Sequence, residues 1–172
     1  QPSRTMRGSS TSAMREDVPD LTLPQILQRT AAAWPGQTAT IFEGATLSFR
    51  ELAQAADRLA VSLVRLGLKP GDRVAIQLPN LPQTVIAYFG VLRAGGVAVM
   101  TNPMYVAREI EHQFNDADAR FAIVLDAYWV GTIRPIREAL QVEHVIVTAI
   151  KDYLPFPKNL LFPLVGKKTG LA

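Results

Sequence analysis

His112 is the side chain best placed for metal or acid–base chemistry, because Glu109 stands three positions before it on one predicted helix and Glu111 is its neighbour. Metal ligands on a helix face recur every three or four residues, and Glu109–His112 meets that spacing once. One pair does not make a site, so His112 reads as a solvated surface histidine. His144 opens a predicted strand and has no partner in sequence. Asp116 and Asp118 could act as paired carboxylates, but between a helix and a strand they are more simply turn formers. Ser48 heads Ser48-Phe49-Arg50-Glu51, a capping box that accounts for its hydroxyl, so it is not read as a nucleophile. Two stretches could be taken for phosphate loops. Such a loop needs a strand before its glycines and a helix after them, so that the helix N-terminus faces the anion. At Gly95-Gly96 the order is helix first and strand second, which points to close packing at a corner. Lys167-Lys168-Thr169-Gly170 lacks the leading glycines and reads as a solvated basic turn. The sequence therefore assigns no catalytic, cofactor-binding or metal-ligating residue.

The bulk properties narrow the classes further. At 172 residues the chain holds one domain with a sizeable core and is marginal for two. Hydrophobic residues make up 48% and charged residues 19%, as in globular proteins, and the net charge of +3 is spread along the chain. No basic stripe interleaved with aromatics marks a nucleic-acid surface. There is no cysteine, so neither a disulfide framework nor a thiolate metal site is available, and a reducing cytoplasm is compatible. No apolar run approaches the ~18 residues that cross a bilayer. Residues 1–20 are polar, and Met6-Arg7-Gly8-Ser9 looks like an expression leader, so this stretch is read as a leader or unstructured tail outside the fold.

The elements that must position any site come in a regular order. Thr22 caps a predicted helix from Leu23 to Trp34, with Leu23, Ile26, Leu27, Thr30, Ala31 and Trp34 on its apolar face. A hairpin follows, with strands over 38–43 and 46–48 joined at Gly44-Ala45. The capping box at Ser48 opens a helix that Gly67 ends, and Arg73–Leu78 is a mostly apolar strand. Pro82 suits the first turn of the next helix, whose stripe reads Val85, Phe89, Leu92. Gly95-Gly96 closes it, and Val97–Thr101 reads as a strand covered on both faces. A helix over 107–116, a strand over 120–125, a helix over 127–140 interrupted by Pro135 and a strand over 144–148 complete the pattern. Strands and helices alternating with short connections predict an α/β fold: an open, largely parallel sheet flanked by helices, with an N-terminal β-hairpin, over residues 21–150. Residues 151–172 form a proline-rich, apolar and basic extension with at most a short helical turn near 158–161.

Three stretches, in order, carry a resemblance. They are Leu47-Ser48-Phe49-Arg50-Glu51-Leu52, then Gly67-Leu68-Lys69-Pro70-Gly71-Asp72-Arg73-Val74-Ala75-Ile76, then Leu92-Arg93-Ala94-Gly95-Gly96-Val97-Ala98-Val99 with Asn102-Pro103. Together they resemble the opening motifs of the AMP-forming acyl-CoA synthetases of the adenylate-forming superfamily. Asn102-Pro103-Met104-Tyr105, the run from Arg108 to Asp116 and Tyr153-Leu154-Pro155-Phe156-Pro157-Lys158 are similar to the long-chain fatty-acid members. One departure is Val106-Ala107 where those members usually carry Thr-Pro, a lost helix cap worth about 1 kcal/mol.

The resemblance implies an incomplete N-terminal domain of a ligase that joins fatty acid to coenzyme A, using ATP and Mg2+, through an acyl-adenylate. The family's phosphate loop, adenylate-positioning segment, ribose-binding Asp and C-terminal Lys are all missing from residues 1–172. No cofactor is expected on this stretch alone, and the reacting groups are expected beyond Ala172. The further expectations are a cytoplasmic parent, with a peripheral membrane contact and a homodimer left open, and no nucleic acid. The alternatives are a non-catalytic α/β module that meets a membrane or partner through Tyr153–Leu164, whose apolar run has basic flanks, and a small intact nucleotide-binding domain. The latter lacks the strand–glycine loop–helix unit it would need.

Overall fold

A computed structural model describes residues 20–155 and 158. Helix α1 spans Leu23–Ala33. Strands β1 (Thr38–Phe42) and β2 (Ala45–Ser48) form an antiparallel hairpin. Then come α2 (Phe49–Arg65), β3 (Arg73–Gln77), α3 (Pro82–Arg93), β4 (Val97–Met100), α4 (Ala107–Asp116), β5 (Ala119–Leu125), a short α5 (Asp126–Tyr128) and β6 (His144–Thr148). Strands β3 to β6 make one parallel sheet in the order β4-β3-β5-β6. This is the open, flanked parallel sheet that the alternating pattern predicts.

The sheet separates two apolar layers because successive side chains on a strand face opposite ways. Val74, Ile76, Phe121 and Ile123 pack with Leu63 of α2 and with Ala87 and Val91 of α3. Ala75, Ala122 and Val124 face Ile110 and Phe114 of α4, together with Ile133, Leu140 and Val142. A third cluster, including Leu27, Leu52, Ala56 and Ile86, joins α1, α2 and α3, with the hairpin's Ala39 and Leu47 packed against it.

The local signals act as physical chemistry requires. The Ser48 hydroxyl oxygen accepts from the Glu51 N–H at 3.3 Å, and the Glu51 carboxylate accepts from the Ser48 N–H at 2.8 Å. The same reciprocal pair joins Thr22 and Gln25. Gly67, at φ +96°, ends α2 in a paired motif: its N–H donates to Val64 O and the Leu68 N–H to Leu63 O.

Five expectations need correction. The strand at 97–101, expected to be covered on both faces, is the edge strand β4, with Val97 and Met100 exposed. The hairpin turns at Glu43-Gly44, one residue early, with both φ values positive at +51° and +91°, as a two-residue loop matched to strand twist requires. Of the apolar face expected on α1, only Leu27 is buried; Leu23, Ile26 and Trp34 lie on the surface. In α3 the fully buried arc is Ile86, Ala87, Gly90 and Val91, while Val85, Phe89 and Leu92 are half-buried. The helix is wedged between the sheet and α2, so two directions are buried and one stripe could not define them. The helix expected over 127–140 breaks into α5, a wide turn over Trp129–Ile133 and a tight 3-10 helix over Arg134–Ala139. Pro135 lacks the N–H that a continuous helix would use there. The helical turn expected near 158–161 lies outside the described residues except for Lys158.

Val106 leaves the start of α4 half-capped: it offers no side-chain acceptor, and the Glu109 carboxylate alone accepts from its N–H, at 2.9 Å. Val106 is exposed and in extended backbone, so a threonine fits there without strain. Val106→Thr is expected to raise the unfolding free energy by about 1 kcal/mol, read from urea denaturation midpoints at unchanged m value.

Candidate functional site

In an open parallel sheet, ligands gather outside the carboxyl ends of the strands where the strand order reverses. Here the chain runs from β3 outward to β4 and then back past β3 to β5, so the reversal lies between β3 and β5. Residues 78–81 leave β3 there and Asp126 follows β5. Pro82 starts α3 at this end, and the Gln83 amide nitrogen donates to Ala149 O at 2.9 Å, tying the helix start to the end of β6. The hairpin closes over the same end and leaves a cleft of 310 Å³ lined by Thr40, Ile41, Phe42, Leu81, Pro82 and Val85, among others. Inside the protein, the Thr40 hydroxyl and the Gln83 amide oxygen have no hydrogen-bond partner among the described residues. The cleft can hold an apolar group. Among the described residues it is lined by the Thr40 and Thr84 hydroxyls and the Asn80 amide, with no acid–base pair and no carboxylate cluster.

The opposite end of the sheet carries the strongest electrostatics. Arg120, at the start of β5, holds Glu143 with two parallel bonds, Nε to Oε1 at 2.8 Å and one terminal nitrogen to Oε2 at 2.6 Å. Its other terminal nitrogen donates to Asp72 before β3. The guanidinium pushes the Glu143 carboxyl below its ordinary value, chiefly through that paired bond, and the Arg120 value rises in return. Residues 48 and 23 positions away along the chain meet here, so no local motif announces the cluster. It braces the amino ends of three strands.

A depressed carboxyl contributes stability above its unfolded value and loses it as pH falls through the folded value. For Glu143 that window lies below the ordinary 4.5. Arg120→Met is expected to lower the thermal midpoint at pH 7. The gap from the unaltered chain should shrink as pH falls below the ordinary 4.5, a trend that scanning calorimetry reads directly.

The sequence candidates fall as separate surface or turn residues. His112 is exposed, Glu109 reaches back to its own helix start, and no group of three His, Cys, Asp or Glu side chains among the described residues could hold a metal. Asp118 sits at φ +48° in the turn between α4 and β5, so the turn reading holds. His144 lies against the Phe121 ring at 5.0 Å, a packing role that its sequence gave no sign of. At the 95–96 corner, Gly95 has φ +83°, and a Cβ on Gly96 would meet Asp72 O at 3.2 Å and Val91 O at 3.3 Å. Close backbone packing is therefore what these glycines serve. Lys167–Gly170 lies outside the described residues. Tyr153 is half-buried against the third cluster, and burial raises its phenol value. Lys158 donates to Glu43 O at 2.9 Å and pairs with the Glu43 carboxylate at 3.2 Å. Among the described residues no helix is long and apolar enough to cross a membrane.

A family model described as AMP-binding enzyme matches residues 27–169. A long-chain-fatty-acid–CoA ligase of Bacillus subtilis (strain 168) is 46% identical over 151 residues, covering 88% of this chain and 27% of that protein. The crystal structure of the anthranilate CoA ligase AuaEII in complex with anthranoyl-AMP is 27% identical, with a TM-score of 0.69, covering 80% of this chain and 26% of that one. The fold also matches a long-chain-fatty-acid-CoA ligase from Archaeoglobus fulgidus, at 24% identity and a TM-score of 0.69, over 78% of this chain and 30% of that one. The chain thus spans about a quarter of the length of the curated relative it matches. With the family model covering most of its length, the three ordered motifs are accounted for: this chain belongs to the AMP-binding enzyme family.

Proposed function

We propose that the chain is the N-terminal scaffold part of a long-chain fatty-acid–CoA ligase, which turns fatty acid, ATP and coenzyme A into acyl-CoA, AMP and diphosphate through an acyl-adenylate. The observation that carries this reading is the 46% identity with the Bacillus subtilis ligase, spread over 151 residues. Attack of a carboxylate on the α-phosphate depends on positioning and on stabilising charge. The described residues offer a packed sheet, a brace at one end and an apolar cleft at the other, none of which does either. Mg2+ prefers a near-octahedral set of oxygens, and no carboxylate group among the described residues fits it, so no step runs through the ion here. ATP and coenzyme A enter this reading as substrates of the parent.

The purified chain is expected to show no ATP–pyrophosphate exchange with palmitate, while the parent polypeptide does. Turnover by the chain alone would overturn the scaffold reading. Failure of the parent with every fatty acid, alongside activity on another carboxylate, would overturn the substrate. The competing reading, a non-catalytic module that meets a membrane or partner through Tyr153–Leu164, loses support from two contacts. Tyr153 packs on the chain's own third cluster, and Lys158 is tied to the hairpin.

A further inference from the structure

The cleft beside the hairpin has an apolar wall, one buried polar atom to satisfy and an anchored stretch of chain at its rim. In that wall Ile41 is 75% exposed, more than any other large apolar side chain of a described strand. Phe42, Leu81, Pro82 and Val85 complete it. The Thr40 hydroxyl in the same lining is buried without a partner among the described residues, and folded proteins seldom leave such an atom unpaired. Glu43 follows Phe42 directly. The Lys158 Nζ donates to the Glu43 carbonyl at 2.9 Å and to its carboxylate at 3.2 Å. Residue 158 is therefore held one lysine side chain away from the rim of the cleft. Tyr153 packs against the cluster that includes Val85, so the end of the described chain touches this face at two points.

Two stretches of this chain outside the described residues are candidates to cover the wall. Residues 1–19 contain no run of large apolar side chains. Residues 160–164 read Leu-Leu-Phe-Pro-Leu. They begin two positions past Lys158, and a trans backbone advances at most about 3.6 Å per residue, so they stand no more than about 7–22 Å from that anchor. Ile41 is only two positions from Glu43 along the hairpin. We propose that residues 160–164 of this chain dock in the cleft, with the Lys158–Glu43 contact as the anchor that sets where they land. Their apolar side chains cover Ile41, Phe42 and Val85, and the backbone they bring meets the Thr40 hydroxyl. An exposed ion pair holds little by itself, so apolar burial supplies most of the attachment. The proposal concerns this chain alone and does not rest on the ligase reading.

Methyl NMR of the purified chain tests this without reading any activity. Nuclear Overhauser contacts are expected from the Ile41 and Val85 methyls to side chains of residues 160–164. Their absence would overturn the proposal. A sample mixed from labelled and unlabelled chains separates the occupants: contacts that cross between copies would make a second molecule the occupant and overturn it as well. The combined variant Leu160→Ser, Leu161→Ser and Phe162→Ser changes only residues outside the described core. In it, relaxation of the Ile41 methyl by a soluble gadolinium chelate is expected to rise at least about twofold, because the contacts that shield it are gone. The Val124 methyls, buried on the other face of the sheet, are the control and should not change. Equal relaxation of Ile41 in the two proteins would show that this segment does not cover it. Lys158→Ala should weaken the contacts from residues 160–164, and contacts of unchanged strength would remove the anchor from the proposal.

Discussion

Phe114→Ala is expected to cost about 3–5 kcal/mol of unfolding free energy. Phe114 is fully buried beneath α4, against Ala75, Ala122 and Val124 of the sheet and the turns that follow β5. Three of its neighbours, Ala75, Ala119 and Ala122, are already alanines and have no longer side chain to move into the space. The cavity therefore stays open, and the cost takes in lost contacts as well as lost burial. Domains of this size are stable by about 5–15 kcal/mol, so the loss takes a large share of the total. Ile26→Ala, on the exposed side of α1, is the matched comparison and should stay within about 0.5 kcal/mol. Urea titrations of the three proteins check both figures. A Phe114→Ala loss no larger than that of Ile26→Ala would mean that α4 does not seal this face.

The elements around Phe114, a helix over 107–116 and a strand over 120–125, were legible because they rest on local rules, but the burial of Ile110 and Phe114 came only with the structure. The caps at Thr22 and Ser48 and the glycine at 67 were legible for the same reason: each is settled within a few residues of itself. What escaped the sequence depends on strand order. A run such as Val97–Met100 reads the same in the middle of a sheet and at its edge, and only the placement of β5 on the far side of β3 leaves it uncovered. The Arg120 brace and the Gln83–Ala149 link join residues 23 to 66 positions apart, and no periodicity carries information over that span. The cleft beside Thr40 depends on how the hairpin sits against α3, which is again a tertiary fact. The residues offered no chemical motif to follow, and the functional expectation came from the family resemblance instead.

Gly90 tests the part of the fold that the pattern on α3 misjudged. The buried arc through Ile86, Ala87, Gly90 and Val91 places a glycine where α2 crosses closest. A Cβ built there would stand 2.8 Å from the Leu59 Cδ2 and 3.1 Å from its Cβ and Cγ. The Cδ2 end can swing aside, but the Leu59 Cβ moves only with the backbone of α2. Two effects then compete. Alanine is about 1 kcal/mol better than glycine inside a helix. Overpacking a tight contact costs about 1–3 kcal/mol. Gly90→Ala is therefore expected near neutrality, whereas Gly90→Val adds two methyl groups and a stiff side chain and should lose about 3 kcal/mol. If the Leu59 contact is the cause, shortening Leu59 must relieve it. The double variant Gly90→Val with Leu59→Ala should be more stable than the sum of the two single losses predicts, by at least about 1 kcal/mol. Strict additivity in that cycle would place the cost of valine within α3 itself rather than at its crossing with α2.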